Sequence, residues 1–307
     1  MAAAAEIILH HYDASPFSEK ARLMLGLKSL AWRSVVTPNM APKPDLVPLT
    51  GGYRRAPVMQ VGADVFCDSQ LILAEIERRV PSPAVARGMD RAVNLWADRP
   101  FFQTTVPIIF GELGDKVPRA FIEDREKLSG RAFDVAAMKA SSTPLRGQWR
   151  AQAAWIESAL AASAGPFLGG ERPSLADVSA YMNVWFLAGA TPAVAENLLA
   201  GFERVRRWRE SLAAVGHGVR AEMTGAEALA VARAADPGHF TENDPADPIA
   251  ALRGEKITVR ADDYGRDEVA GVLVAANAER LVVQREAGDL GRIHVHFPRV
   301  GYMAAPA

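Results

Sequence analysis

A serine at position 15 lies between a short apolar run and a helical pattern, in the sequence IILHHYDASPFSEKARLMLGLK. Pro16 suits the first position of a helix, where its missing N–H costs nothing and its fixed φ is already helical. Ser15 is therefore predicted to be the N-cap. A hydroxyl at the positive end of a helix, beside a strand end, can hold a small anion or a thiolate. The alternative is that Ser15 only caps the helix.

Cysteine and histidine supply little further chemistry. Cys67 is the only cysteine, which excludes an intramolecular disulfide and a thiolate metal cluster, and its place in VFCDS favours a small core residue. His10 and His11 are adjacent and so point to opposite sides of a strand. His294 and His296 share the polar face of one strand, but no third ligand is nearby in sequence. We therefore expect solvated histidines there and no metal site.

The composition is that of an ordinary globular protein. The chain has 307 residues, of which 49% are hydrophobic and 23% charged, so two or three domains with sizeable cores are expected. Its net charge of −1, from 35 basic and 36 acidic residues, does not support a nucleic-acid or anionic-membrane partner. The sequence contains no apolar run of membrane-spanning length, and its start does not resemble a signal peptide. A cytoplasmic location is the resulting expectation.

The elements that position Ser15 follow from an alternation of strand and helix patterns in residues 1–80. IILHHY and WRSVVT are predicted strands, RAPVMQV and ADVFCD a hairpin, and SQLILAEIERRV a closing helix. This order predicts a small mixed sheet against helices. PSPAVARG, over 81–88, has the composition of a linker.

Residues 89–235 show helical periods and no convincing strand, which predicts an all-helical domain. Two capping boxes mark helix starts, Ser174 with Asp177 and Thr224 with Glu227. After a polar linker, residues 254–304 contain four or five short strand patterns, typical of a small antiparallel barrel or half-barrel. We expect the polar linker to be sensitive to proteases. We also expect that a chain cut after residue 238 leaves a stable, folded core.

Four segments in this order resemble the soluble glutathione transferase superfamily: SPFSEKARLML, KPD at 43–45, RRAPVMQVGADVFCDSQLILAEI and FLGGERPSLADV. The first is most similar to the tau and omega classes. The resemblance covers about residues 6–225 and implies a thioredoxin-like α/β N-terminal domain, an all-α C-terminal domain and a small antiparallel β appendage that the common family pattern lacks.

The resemblance also implies the site. Ser15 would hydrogen-bond the sulfur of the co-substrate glutathione and favour the thiolate, with Phe17 beside it. Pro57 matches the family's cis-proline, which turns the backbone of Ala56 outward to pair with the cysteinyl part. Asp68 would pair with the γ-glutamyl ammonium. Ser69 would cap the next helix and receive the γ-glutamyl carboxylate, and Lys43 or Arg55 would meet the glycyl carboxylate.

Each assignment has a plainer alternative: a simple cap for Ser15 and Ser69, an ordinary trans proline for Pro57, and surface solvation for Lys43 and Arg55. The sequence also departs from the family, since Asp68-Ser69 stands where Glu-Ser is common. Serine in place of cysteine at position 15 argues against omega-type reductase chemistry, which needs a protein sulfur.

The resemblance favours a transferase that conjugates the glutathione thiolate to a small electrophilic apolar substrate. That acceptor would lie near Ser15, Phe17 and the helix with Trp96, Phe101 and Phe102, although these aromatics could equally be core. A homodimer is implied. Two alternatives remain open: a glutathione-dependent isomerase or dehalogenase on the same site, and a non-enzymatic binding protein with the same fold.

Overall fold

The computed structural model describes residues 6–307, and its first part has the alternating order that the sequence predicts. The elements are β1 (Ile8–His11), α1 (Pro16–Leu27), β2 (Ala31–Val36), the one-turn helix α2 (Val47–Thr50), β3 (Val58–Val61), β4 (Asp64–Cys67) and α3 (Ser69–Arg79). β1 is parallel to β2 and antiparallel to β3, and β3 forms a hairpin with β4. This is the mixed sheet of a thioredoxin-like domain.

Helices make up most of the second part of the chain. They are α4 (Asp90–Trp96), α5 (Phe102–Leu113), α6 (Arg119–Ser129), α7 (Val135–Ala140), α8 (Ser142–Ala162), α9 (Leu175–Ala190), α10 (Pro192–Leu198) and α11 (Glu203–Ala213). A π-helical turn, Ala97–Phe101, joins α4 to α5. The capping box of Ser174 and Asp177 is confirmed at the start of α9. Asp177 also accepts a hydrogen bond from Trp208 Nε1 at 2.7 Å, which ties α9 to α11.

One strand lies in the region for which only helices were predicted. β5 (Val219–Glu222) pairs in parallel with β2, and α12 (Gly225–Arg233) follows it, starting at the predicted capping box of Thr224 and Glu227. The prediction that residues 89–235 contain no strand was therefore wrong. The side chains of β5 are exposed or half-buried, so they carry no apolar alternation by which a strand is recognised.

The last part of the chain forms β6 (Lys256–Ala261), β7 (Val269–Ala276), β8 (Arg280–Glu286), β9 (Arg292–Pro298) and β10 (Tyr302–Pro306), called here the C-terminal module. All strands belong to one sheet, in the order β10-β6-β7-β8-β9-β4-β3-β1-β2-β5. The predicted antiparallel β appendage is confirmed, since β10, β6, β7, β8 and β9 pair antiparallel in turn. These strands do not close into a barrel, because β9 pairs in parallel with β4 and extends the thioredoxin-like sheet.

Two large hydrophobic cores lie on the sheet, and a third, small one joins Ile8, Val35 and Ala228. The first is shared by the thioredoxin-like domain and the helices and contains Trp32, Trp149 and Trp208. The second joins the C-terminal module to the other side of the thioredoxin-like domain. Its members from that domain are Leu46, Leu49, Tyr53, Val58, Val65 and Cys67, and they pack with module residues such as Val295 and Phe297. The C-terminal module and the thioredoxin-like domain therefore share this second core.

Within residues 6–307, no helix has both the length and the apolar character that crossing a membrane requires.

Candidate active site

A cleft of about 810 Å³ opens between the thioredoxin-like domain, helices α5 and α6, and the β6–β7 loop of the C-terminal module. Every residue that the sequence predicted for the site lines this cleft: Ser15, Phe17, Lys43, Arg55, Ala56, Pro57, Asp68 and Ser69. These residues lie after β1, β2 and β4 or directly before β3, and the strand directions bring these segments to one end of the sheet.

Ser15 occupies the N-cap of α1, as predicted, and is buried at the cleft wall. Its Oγ accepts a hydrogen bond from the Ser18 N–H at 3.1 Å. That bond uses an oxygen lone pair, so the hydroxyl proton remains available to a ligand in the cleft. The positive end of α1 faces the same point, which favours an anion there.

The backbone before β3 lies open toward the cleft. The Ala56–Pro57 peptide bond is cis, as the sequence predicted. β3 begins only at Val58, so the ladder with β1 and β4 leaves Ala56 outside it. The N–H and C=O of Ala56 are therefore placed to pair with an extended ligand.

Asp68, and not Ser69, caps α3. The Asp68 side chain accepts a hydrogen bond from the Gln70 N–H at 2.9 Å, while Ser69 is the first helical residue. The predicted capping role of Ser69 was therefore wrong: Asp68, at φ +74°, turns the chain one residue earlier. Such a φ is rare for a residue other than glycine and marks a strained position.

A buried ammonium lies beside Ser69. Lys20 Nζ is 3.3 Å from Ser69 Oγ, 2.7 Å from Asn94 Oδ1 and 2.6 Å from Asp98 Oδ1. Burial raises the pKa of Asp98, and the charge of Lys20 opposes that shift. This network fixes the start of α3 against α4, and so fixes the floor of the cleft.

Arg55 and Asp68 are joined through a residue of the C-terminal module. The Tyr302 hydroxyl accepts from Arg55 Nη2 at 2.7 Å and donates to Asp68 Oδ2 at 3.0 Å. Arg55 also pairs with Asp263 at 3.4 Å. Burial raises the pKa of Tyr302 well above its ordinary value, so the phenol stays protonated and can donate. The Arg55 charge is thus largely satisfied inside the protein.

Lys43 lies at another side of the cleft. Its ammonium is 5.8 Å from the Tyr12 ring centroid and the residue is buried. Burial, followed by the nearby Arg125 charge, lowers the pKa of Lys43 to about 8. A ligand carboxylate in the cleft would raise the pKa of Lys43 again, because a nearby negative charge favours the charged ammonium.

Aromatic side chains also line the cleft: Phe17, Phe102, Phe110, Phe121, Phe133 and Phe186. Phe17 meets Phe102 edge to face, with ring centroids 4.8 Å apart. Of the three aromatics predicted near the acceptor, Phe102 lines the cleft. Phe101 is fully buried and stacks on Trp96 at 5.0 Å, so these two belong to the helical core.

Sequence reasoning missed the contribution of the C-terminal module to this cleft. Asp262, Asp263, Tyr264 and Arg266, all in the β6–β7 loop, line it, and Asp262 bonds Arg99 at 2.6 Å. These residues carry no motif, and only the pairing of β9 with β4 brings their loop to the site.

Two other sequence expectations have definite outcomes. Cys67 is fully buried in the second core, as expected, and burial raises the pKa of its thiol well above the ordinary value. The expectation of solvated side chains at His294 and His296 was wrong, because both are buried. Strand alternation places them on one face of β9, but the linker after α12 covers that face, with Phe240 against the His296 ring.

Two family models match the chain, "Glutathione S-transferase, N-terminal domain" over residues 9–84 and "Glutathione S-transferase, C-terminal domain" over residues 120–211. A GST-like protein from Pseudomonas syringae has a similar solved structure, with 35% sequence identity and a TM-score of 0.80. The match covers 98% of this chain and 100% of that protein, so the similarity extends through the C-terminal module.

Other solved structures are similar over a smaller share of the chain. A tau-class glutathione S-transferase from mango, Mangifera indica, is 16% identical with a TM-score of 0.53, covering 68% of this chain and 89% of that one. A glutathione S-transferase from Rhodospirillum rubrum is 18% identical with a TM-score of 0.52, covering 67% and 87%. At these identities the two likenesses concern the fold alone. No curated protein matches the chain.

Proposed function

Because the chain belongs to the soluble glutathione transferase superfamily, we propose that it conjugates glutathione to a small electrophilic apolar molecule in the cleft. The observation that carries this proposal is the Ser15 hydroxyl at the N-terminus of α1, inside a cleft lined by phenylalanines and by the polar side chains described above, here called the polar wall.

Glutathione fits the polar wall in one orientation. Its sulfur lies at Ser15, its cysteinyl backbone pairs with Ala56, and its γ-glutamyl end reaches Asp68 and Ser69 at the start of α3. Its glycyl carboxylate meets Lys43. Arg55 is the weaker candidate for that carboxylate, because Tyr302 and Asp263 already hold its guanidinium.

Ser15 assists the reaction by stabilising the thiolate. The serine hydroxyl donates to the sulfur, and the field of α1 adds to this stabilisation. Each unit by which the thiol pKa falls requires about 1.4 kcal/mol of preference for the thiolate. One charge-assisted hydrogen bond of about 1.5–3 kcal/mol supplies one to two units. The glutathione sulfur, and not Ser15, is the nucleophile.

The electrophile packs on the aromatic wall formed by Phe17, Phe102 and their neighbours. The sulfur attacks its electrophilic carbon and forms a thioether, while the electron pair leaves with the departing group or moves onto an activated double bond. Isomerisation or dehalogenation would use the same thiolate, and the substrate screen described below distinguishes them by their products.

A non-enzymatic binding protein is the second candidate. One observation favours it: both carboxylate oxygens of Asp68 already accept hydrogen bonds, from Gln70 N–H and from the Tyr302 hydroxyl. Glutathione binding would then compete with contacts inside the protein. Such a protein would bind glutathione weakly and turn over none of the electrophiles.

The test combines a glutathione titration with a screen of generic electrophiles. Ser15→Ala should raise the pKa of bound glutathione by one to two units and lower kcat/KM by about 10–100-fold at neutral pH. Its cost to folding is about 1 kcal/mol, since a cap is lost. Ser18→Ala is the matched control, because this buried serine in the same helical turn lies outside the cleft lining. Identical thiolate absorbance titrations for wild type and Ser15→Ala would refute the role of Ser15.

A homodimer stays a prediction that rests on family membership, and a cytoplasmic location stays a prediction that rests on the sequence pattern. Light scattering of the purified protein measures the first, and fractionation of cells that express the chain measures the second.

A further inference from the structure

Three potential metal ligands meet where the C-terminal module joins the thioredoxin-like domain. Asp64 begins β4, and His294 and His296 alternate along β9. In the parallel pairing of these strands, Asp64 lies opposite His294 and Phe66 lies opposite His296. The two histidines therefore project from the same face of β9, toward the start of β4.

The ligand atoms of the three residues are close together. Asp64 Oδ1 lies 2.8 Å from His296 Nε2 and 3.9 Å from His294 Nδ1, and the three ligand atoms lie within 4.8 Å of one another. In a tetrahedral zinc site with bonds of about 2.0–2.1 Å, ligand atoms are separated by about 3.3 Å. The observed distances bracket that value.

The histidines are buried and incompletely satisfied. Only 8% of the His294 side chain and 3% of the His296 side chain are exposed. The Nδ1 atoms of both rings are buried without a hydrogen-bond partner among the described residues. A buried polar atom without a hydrogen-bond partner costs about 1–3 kcal/mol. His294 Nδ1 is such an atom, and it lies 3.9 Å from the Asp64 carboxylate, which calls for an explanation.

The surroundings hold the three side chains in place. Asp64 Oδ2 accepts the Gly238 N–H at 2.8 Å, which orients the carboxylate and anchors the linker after α12. The His296 ring stacks on Phe66 with centroids 4.4 Å apart, and Phe240 meets it edge to face at 6.0 Å. The nearest buried cation, Arg280, is paired with Glu75 at 3.0 Å.

The donor set suits a transition metal. Imidazole nitrogens and carboxylate oxygens are both ligands of divalent zinc, and each of the three residues offers one such atom here.

We propose that Asp64, His294 and His296 bind one divalent transition-metal ion at the junction of β4 and β9. Two imidazole nitrogens and one carboxylate oxygen suit zinc best among the common ions, with a fourth position for water. The ion would link the module to the thioredoxin-like domain. Its role is structural, because none of the three residues lines the cleft.

The test uses the untagged full chain, stripped with a chelator and titrated with zinc chloride by calorimetry. The expected result is one zinc ion per chain, a higher melting temperature with zinc than with chelator, and an intense visible absorption band when cobalt(II) is used instead. His294→Gln, His296→Gln and Asp64→Asn should each weaken zinc binding by about 100-fold or more, since even a lost outer partner costs about 10–100-fold.

His217→Gln is the matched control. That histidine pairs with Glu19 at 3.0 Å, away from this cluster, so the variant should bind zinc as the wild type does. Two results would overturn the proposal: wild-type protein that binds no zinc, which does not depend on any variant folding, or variants at Asp64, His294 and His296 that bind zinc as tightly as wild type. In the first case, Asp64 and His296 form a hydrogen bond only.

Discussion

Removal of the C-terminal module is expected to unfold the rest of the protein, contrary to the sequence-based expectation of a separable core. A chain that ends after Gly238 loses β9, and β4 becomes an exposed sheet edge. The same cut uncovers side chains that the module now buries: Leu46, Leu49, Tyr53, Val58, Val65 and Cys67.

The loss in the free energy of unfolding can be worked out from these uncovered side chains. Burying one large apolar side chain contributes about 1.5–3 kcal/mol, so the five large ones, all but Cys67, contribute about 7.5–15 kcal/mol. A native domain is stable by only about 5–15 kcal/mol in total. Even if the truncated chain covers half of this surface by collapse, most of its stability is lost. An unpaired β4 adds a tendency to aggregate.

The assay is thermal unfolding followed by circular dichroism, for residues 1–238 and for the full chain. The truncated chain should show no cooperative transition and should elute as an aggregate. The control is the full chain carrying a protease site after Gly238 and cleaved there, because it breaks the same bond but keeps the module. It should retain the transition. A truncated chain that melts cooperatively within a few degrees of the full chain and still binds glutathione would refute the shared-core argument.

Two further predictions concern the polar wall of the cleft. Lys43 has its pKa lowered to about 8, so its charge is present below that pH and lost above it. Affinity for S-methylglutathione should therefore fall between pH 7 and pH 9. This ligand is chosen because its sulfur does not ionise. Calorimetry at both pH values checks this, and Lys43→Arg should abolish the fall, since guanidinium stays charged. Tyr302→Phe should cost about 1.5–3 kcal/mol in urea unfolding, because Arg55 and Asp68 lose their shared hydroxyl. Tyr181→Phe, a buried tyrosine of the helical core, is the control, and equal losses in the two variants would contradict the bridging role of Tyr302.

Local chemistry made much of the site predictable from the sequence. Helix caps depend on residues that are neighbours in sequence, so the cap at Ser15 before Pro16 and the capping boxes at Ser174 and Thr224 appear as expected. The family resemblance then connected Ser15 with Lys43, Ala56 and Asp68, which are far apart in sequence, and the fold brings all of them to one cleft.

The tertiary structure alone decided which strands pair and which distant side chains meet. Alternation along β9 shows that His294 and His296 share a face, but not that Asp64, 230 or more positions earlier, lies against that face. β5 is a strand only because β2 offers a free edge, and its own residues carry no strand pattern. In the same way, Tyr302 reaches Arg55 and Asp68 only because β9 pairs with β4. Sequence patterns report which side of an element is apolar, whereas the choice of partner depends on edges and surfaces supplied by distant parts of the chain.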